Sequence, residues 1–211
     1  MFGKYLSIFG VVLVGCLGAS GSALAAQFKA ESAPVEYVGD TIAGAPLVFS
    51  TSAGTGTCTT TRFSGTNNAA SATAEMPVTF GAGTCTNFGE AGKSIVTNGC
   101  SFKFAIGKLI SEGTIEVVCA AKQSIEIQKK ECTVSIGSQK PVGNVSYKNF
   151  GMKTNRDFEP VFEIKEGLAY TVTGPKCGTA EGAYGNGGIT GTGEIFGLNP
   201  TTKLAQGVWV E

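Results

Sequence analysis

The sequence contains no histidine, and this absence excludes several large classes of active site. Ser-His-Asp triads, Cys-His pairs and His-based metal sites all need an imidazole that accepts a proton or binds a metal. Aspartate is also scarce, because Asp40 and Asp157 are the only two in the chain. Neither lies in an Asp-Thr-Gly context, so a paired-aspartate protease is not expected, and clustered aspartates for a calcium site are lacking.

The chain also lacks an excess of charge of either sign. Its 16 Lys and Arg residues balance its 16 Asp and Glu residues, and the basic residues are scattered along the sequence. Nucleic acids and anionic membranes bind to clustered basic residues, so neither is an expected partner. The pair Lys129-Lys130, with Lys122 nearby, is interpreted as a solvated strand end.

A complete cofactor motif is missing as well. Residues 185–191 read GNGGITG and superficially resemble a phosphate-binding loop. They lack the full glycine fingerprint, and no predicted helix follows them. We interpret this segment as a turn with positive φ angles, and no cofactor or metal is expected.

Cysteine is present, but never as C-x-x-C, which excludes a zinc ribbon and a thioredoxin-like redox motif. Six of the seven cysteines lie beyond the N-terminal segment, with long gaps between them. An even number of cysteines in an exported chain favours structural disulfides, here three. The six are Cys58, Cys85, Cys100, Cys119, Cys132 and Cys177.

Residues 1–25 have the three regions of a secretory signal peptide. Lys4 precedes an apolar run over residues 5–17, which is too short to span a bilayer, and small residues end at Ala25. Cleavage after Ala25 is the favoured processing route. The alternative is a lipid anchor at Cys16, because the residues before it resemble a bacterial lipobox. Both routes predict a secreted or envelope-associated chain with no transmembrane span after processing.

The remaining sequence has the composition and periodicity of an all-β protein. It is rich in glycine (31 residues) and poor in proline (7), and apolar and polar residues alternate in many short windows. About a dozen short strands are expected, in a single antiparallel sandwich or flattened barrel with three disulfides. Residues 26–50 carry fewer strand signals and are predicted to form a lead-in strand or arm, which leaves 51–211 as one disulfide-bonded β domain.

One disulfide follows from strand alternation. Cys100 and Cys119 are in phase with apolar neighbours in two strands that residues 107–113 separate, so an antiparallel hairpin brings the two cysteines opposite each other. The sequence leaves an alternative open, because Asn98-Gly99 is a strong hairpin-turn signal directly before Cys100.

The other two pairings are weaker predictions. Residues 58–63 and 73–80 are expected to form a hairpin, and a disulfide across it would use the first two of the six cysteines. The favoured pairs are then Cys58 with Cys85, and Cys132 with Cys177.

Glutamates and tyrosines supply the candidate contacts with a substrate or ligand. Four glutamates lie in alternating strands opposite the apolar residues, which is typical of a solvated outer face: Glu116, Glu126, Glu163 and Glu194. Tyr147 and Tyr170 are in phase with core residues, and burial is expected for both. Tyr184 lies in the glycine-rich segment and is the candidate for an exposed aromatic contact with a ligand.

Several motifs carry a resemblance to known sequences: Cys58 before Phe63-Ser-Gly-Thr, Cys85-Thr-Asn-Phe-Gly, Asn98-Gly-Cys100, Val118-Cys119, Cys132-Thr-Val and the late Cys177. In this order they resemble a family of exported bacterial six-cysteine all-β proteins with no established function. The resemblance covers roughly residues 57–196. It implies a compact, disulfide-bonded, extracytoplasmic β domain, and it implies no active site.

The sequence therefore predicts an exported, non-catalytic β domain that serves as a cell-envelope or extracellular binding or structural module. The prediction rests on a rigid scaffold that presents loops and lacks a recognisable catalytic motif. An envelope polysaccharide or protein is the expected kind of partner. The alternative is a two-glutamate glycoside hydrolase that acts on an extracellular polysaccharide.

Overall fold

The computed structural model describes residues 26–152 and 155–211. The predicted signal peptide, with its cleavage site and Cys16, lies outside the described residues. The described part of the chain contains 18 strands and no α-helix. Accordingly, it holds no helix that is long and apolar enough to cross a membrane.

The strands in chain order are β1 (Phe28–Ala30), β2 (Val35–Thr41), β3 (Leu47–Thr51), β4 (Gly54–Cys58), β5 (Thr61–Asn67), β6 (Thr73–Phe80), β7 (Cys85–Asn87), β8 (Glu90–Lys93), β9 (Ile95–Val96), β10 (Ser101–Ile106), β11 (Gly113–Val118), β12 (Ile125–Lys129), β13 (Cys132–Ile136), β14 (Val142–Phe150), β15 (Asp157–Thr173), β16 (Gly182–Leu198), β17 (Ala205–Gln206) and β18 (Val208–Val210).

The predicted all-β, antiparallel, disulfide-bonded fold is confirmed. Eight strands close into a barrel in the order β2, β5, β6, β10, β11, β14, β15, β16, and the pairing of β16 with β2 completes the ring. The strands outnumber the predicted dozen because several contain only two or three residues, such as β9 and β17. Segments this short cannot display the alternation on which the prediction depends.

The two longest strands, β15 and β16, extend beyond the barrel and carry a second group of strands, the side lobe. β3, β4, β7 and β8 continue outward from β16, while β13, β12 and β9 continue from β15. Only Ser94 separates β8 from β9. The segment 90–96 therefore pairs with β7 through its first part and with β12 through its second, and it joins the two halves of the lobe.

Phenylalanine side chains fill the barrel. Phe162 on β15 is buried, and its ring centroid lies 5.9 Å from that of Phe104, 6.4 Å from Phe63 and 6.5 Å from Phe102. Alternation explains this arrangement, because every second residue of a strand points to the same side of the sheet. The barrel interior is thus a packed aromatic core.

A two-stranded ribbon of β1 and β18 packs against this core. The ring of Phe28 lies 5.3 Å from Tyr147 in an edge-to-face arrangement and 5.5 Å from Phe158. The other ribbon strand, β18, is bound by Asn149 of β14. The Asn149 side chain donates to the carbonyl of Val210 and accepts from its amide, both at 2.8 Å. The ribbon is thereby held to β14.

Residues 26–50 are more than the predicted lead-in strand or arm, because they hold β1, β2 and β3. β2 lies between β5 and β16 in the barrel wall, and β3 lies between β4 and β16. Their inward-facing residues, Tyr37 and Phe49 among them, are buried. The local strand signal is weak here because one partner, β16, lies about 150 residues further along the chain, and only the tertiary fold supplies that pairing.

The glycine-rich segment 185–191 is part of strand β16 and does not form the predicted turn. Its glycines permit a close approach of β15 to β16 where the register between them shifts. A Cβ atom on Gly187 would lie 2.8 Å from the carbonyl oxygen of Leu168, and one on Gly188 would lie 2.5 Å from that of Ile164. Such distances exclude a side chain at both positions.

The three disulfides join Cys58 to Cys85, Cys100 to Cys119 and Cys132 to Cys177, which are the favoured pairs. The route to the first one differs from the prediction. Cys58 ends β4 and lies opposite Cys85 at the start of β7, whereas the predicted hairpin consists of β5 and β6 and begins only at Thr61.

The hairpin that places Cys100 opposite Cys119 forms as predicted, from β10 and β11. The competing signal Asn98-Gly99 also forms a turn, with φ angles of 48° and 75°. It does not make a hairpin, because β9 before it pairs with β12 and β10 after it pairs with β6 and β11. The turn leads the chain from the side lobe into the barrel.

Candidate functional site

The hairpin turns of the side lobe converge at one end of the molecule, which we call the lobe tip. Residues from four connections line a cavity of about 350 Å³ there: Ala53, Gly54 and Thr55 at the β3–β4 turn, Phe88 after β7, Lys129 and Cys132 at the β12–β13 hairpin, and Lys176, Cys177 and Gly178 between β15 and β16. Loops on a rigid scaffold are where binding residues concentrate. The lobe tip is therefore the leading candidate site.

Two lysines give this cavity, the lysine cavity, its charge. Lys176 forms an ion pair with the exposed Glu131, with 2.9 Å between Nζ and Oε2. Within the described residues Lys129 has no carboxylate partner, and its Nζ donates a long hydrogen bond of 3.4 Å to the carbonyl of Phe88. The sequence predicts a solvated strand end for Lys129 and gives no sign of a cavity there. The loop that completes the cavity, with Lys176, lies about 47 residues further along the chain.

Tyr184, the predicted ligand contact, lies beside a second depression, the tyrosine pocket, of about 260 Å³. Its ring stacks on that of Tyr170 with centroids 5.3 Å apart and an interplanar angle of 13°. Its hydroxyl donates to the carbonyl of Ala180 at 2.7 Å. Tyr184 is thus half-buried and fixed in orientation, while Tyr147 and Tyr170 are buried as predicted.

Hydroxyl and amide side chains line the depression next to the strands that carry the two tyrosines. The polar residues that line the tyrosine pocket are Ser135, Ser138, Gln139 and Thr171. Gln139 is itself held in place, because its side chain bonds both the amide of Ala169, at 2.8 Å, and its carbonyl, at 3.2 Å. The pocket therefore places fixed polar groups next to the strand positions of the two tyrosines.

A small hydrogen-bond network joins Tyr170 to the β3–β4 turn, which also borders the lysine cavity. The hydroxyl of Tyr170 accepts from the amide of Ser52 at 2.6 Å, and it lies 2.8 Å from both Ser52 Oγ and Asn186 Oδ1. The next residue after Ser52 is Ala53, which lines the lysine cavity. Neither Ser52 nor Asn186 carries a signal in the sequence, because their contact joins segments 134 residues apart.

The four glutamates assigned to an outer face do lie on strand positions between buried neighbours. Glu116 is paired there with Lys103 at 3.2 Å. A different pair, Glu36 and Glu75, shares an open depression of about 380 Å³ with Ser64 and Thr66. These two glutamates flank β5, so two strand spacings of about 4.8 Å separate their backbones.

Both glutamates of that depression already have partners. Glu36 forms an ion pair with Lys203, and Oε1 of Glu75 accepts a hydrogen bond from the Ser101 hydroxyl at 2.5 Å.

In the described part of the chain, no group of three or more His, Cys, Asp or Glu residues is arranged to hold a metal ion.

Carboxylates cluster on the outer wall of the barrel. Glu194 lies next to Asp40 on β2 and beside Glu159 on β15. Burial, reinforced by the negative charges of Asp157 and Glu159, raises the pKa of Glu194 above its ordinary value. Burial also raises the pKa of Asp157, against the effect of a hydrogen bond from its own backbone.

The raised pKa of Glu194 predicts a pH-dependent cost to the fold. The folded protein binds this proton more tightly than the unfolded chain, so stability falls as pH rises from about 4.3, the pKa of an unperturbed glutamate, through the higher folded value. Glu194→Gln should remove this loss and raise the free energy of unfolding at pH 7 by about 0.5 kcal/mol, or the melting temperature by about 1–2 °C.

Calorimetry between pH 4 and pH 7 measures this effect. The difference between Glu194→Gln and wild type should disappear near pH 4, where the carboxyl is mostly protonated in both states. Glu163→Gln, at an exposed position of the same sheet, is the matched control and should leave the profile unchanged. Equal shifts for both variants would contradict a specific effect at Glu194.

Comparison with known proteins found no family model that matches the chain, and neither a curated protein nor a solved structure that is significantly similar to it. The fold and the site define the class: an antiparallel barrel with a disulfide-bonded side lobe whose loops form one surface.

Proposed function

We propose that the protein is an exported, non-catalytic module that binds an extended polysaccharide of the cell envelope or its surroundings at the lobe tip. The observation that carries the proposal is the stacked pair of Tyr170 and Tyr184 beside a pocket lined by hydroxyl and amide groups. Sugar rings offer apolar C–H faces for aromatic contact and hydroxyls for hydrogen bonds, and ligand pockets commonly combine these two kinds of surface.

The rigidity of Tyr184 supports this function. Stacking on Tyr170 and the hydrogen bond to Ala180 hold the ring in one orientation before any ligand arrives. Binding then costs little side-chain entropy, since freezing a mobile side chain costs about 0.5–1.5 kcal/mol. A pre-positioned aromatic ring at a loop-built surface is suited to a weakly bound, repetitive ligand.

Three disulfides are typical of a protein that folds in an oxidising, extracytoplasmic compartment. Together with the signal-like segment 1–25 they support export as part of the proposal. The N-terminal residue of the mature chain distinguishes release by cleavage after Ala25 from a lipid anchor at Cys16.

A glycan array followed by calorimetric titration of the strongest oligosaccharide tests the proposal. Tyr184→Ala should weaken binding about three- to tenfold, since aromatic contacts contribute about 0.5–1.5 kcal/mol. Tyr184→Phe keeps the stacked ring and should bind within about twofold of wild type.

Phe150→Ala is the matched control, because Phe150 is 43% exposed on the barrel, away from the lobe tip. Its binding should equal that of wild type. Equal binding by Tyr184→Ala and wild type would reject the lobe tip as the binding surface.

The second candidate function is a glycoside hydrolase that uses Glu36 and Glu75, and the depression they share favours it. Inverting hydrolases place two carboxyls about 6.5–9.5 Å apart, near the separation that one intervening strand imposes. Its weakness is the ion pair with Lys203 and the hydrogen bond from Ser101, which occupy both carboxylates. Release of reducing ends that Glu75→Gln abolishes would replace the binding proposal with this one.

A further inference from the structure

We infer that the polysaccharide bound at the lobe tip is acidic, and that Lys129 and Lys176 bind its anionic group in the lysine cavity. The inference rests on the proposed function and extends it by naming the class of ligand. The anionic group is a uronate carboxylate or a sulfate ester, since both present negatively charged oxygens to ammonium groups.

The charge of the cavity carries the first step. Among its nine lining residues two are lysines and none is acidic. Glu131, the partner of Lys176, is exposed and lies outside the lining. Among residues 26–152 and 155–211, Lys129 Nζ bonds one group, the backbone carbonyl of Phe88, at 3.4 Å. An anion that enters the cavity therefore meets one ammonium group with no carboxylate to displace.

The scaffold fixes the two lysines relative to each other, which is the second step. Lys129 ends β12 beside the β12–β13 hairpin, and Lys176 lies in the loop between β15 and β16. The disulfide between Cys132 and Cys177 joins these two connections and forms part of the cavity wall. A hydrogen bond from the backbone amide of Lys176 to the carbonyl of Glu131, at 3.2 Å, also holds the two connections together.

Gly54 of the β3–β4 turn and Phe88 form another wall of the lysine cavity. Gly54 has a φ angle of +120°, which disfavours any side chain. A Cβ atom there would lie 3.1 Å from the ring of Phe88. The turn therefore packs closely on Phe88, and the cavity beside them, at about 350 Å³, is large enough for a charged substituent of a sugar.

The third step is the connection of the lysine cavity to the tyrosine pocket. The β15–β16 hairpin carries both Lys176 and Tyr184, and the β3–β4 turn contributes Ser52 to the tyrosine network and Ala53 to the lysine cavity. The same hairpin thus carries the aromatic contact proposed for the polymer and one of the two lysines proposed for its anionic group. A neutral polymer would leave the lysine cavity unused.

Calorimetric titration of the full mature chain tests this inference with four probes: trigalacturonate, a carrageenan tetrasaccharide, maltotriose and polyphosphate. Lys129→Gln and Lys176→Gln should each weaken binding of the better acidic saccharide about tenfold, as for loss of one charge-assisted hydrogen bond. Lys129→Arg keeps the charge and should bind within about twofold of wild type. Lys108→Gln, exposed in the β10–β11 turn, should have no effect.

The carboxylated and sulfated probes show which anionic group is recognised, and preferential, lysine-dependent binding of either supports the inference. Equal binding of maltotriose and the acidic saccharides, unaffected by the lysine variants but lost in Tyr184→Ala, overturns it while the proposed function stands. Binding of polyphosphate alone, or of none of the four probes, also overturns it. Melting curves of each variant confirm that the fold is intact.

Discussion

Replacing Cys132 and Cys177 together by alanine is expected to lower the free energy of unfolding by about 4 kcal/mol. This disulfide closes the longest loop of the three, with a sequence separation of 45 residues, and a longer closed loop removes more entropy from the unfolded chain. Chemical denaturation of the oxidised variant and wild type, followed by tryptophan fluorescence and circular dichroism, measures the difference.

The pair Cys100 and Cys119 is the internal control, because its separation is only 19 residues. The corresponding double alanine variant should lose about 3 kcal/mol. The two loops do not overlap along the chain, so the losses should add when both disulfides are removed. A larger loss for the shorter loop would contradict the entropic account and place the effect in the native contacts.

The second large effect is expected in the barrel core, where Phe162→Ala should cost about 4 kcal/mol. Phe162 is buried and lies among three other phenylalanine rings. The truncation removes apolar contacts and leaves a cavity that the surrounding strands cannot close, because the paired ring of strands limits their movement.

Phe162→Leu separates cavity size from the loss of the aromatic ring, and about 1.5 kcal/mol is expected for it. Phe150→Ala, on the exposed outer wall of the barrel, should change the free energy of unfolding by less than about 1 kcal/mol. Urea unfolding of the three variants under one set of conditions gives the comparison. Similar losses for Phe162→Ala and Phe150→Ala would show that the aromatic interior does not hold the barrel together.

This core has a consequence for function. Because aromatic side chains fill the barrel, the barrel serves as a support, and the surfaces available for partners are its outer wall and the loops of the side lobe. Of the three disulfides, Cys132–Cys177 joins two of those loops, whereas Cys58–Cys85 joins strands β4 and β7. If the loops bind a polymer as proposed, the part held by Cys132–Cys177 needs little further ordering.

The sequence by itself determined the class of fold and favoured the three cysteine pairs that form, although the hairpin invoked for Cys58 and Cys85 was wrong. Alternation along a strand decides which side chains face inward, and it is a local property, so the burial of Tyr147 and Tyr170 and the outward position of Glu194 were readable without a structure. The equal spacing of Cys100 and Cys119 about one turn is equally local.

The choice of strand partners far apart in the chain was decided only by the tertiary structure. β2 and β3 pair with β16 from the far end of the chain, and the glycines of β16 have their role through contact with β15. The lobe tip likewise joins Ser52, Lys129 and Tyr184, which no local pattern connects. Long-range pairing depends on which apolar faces can be buried together, and that is a property of the whole chain.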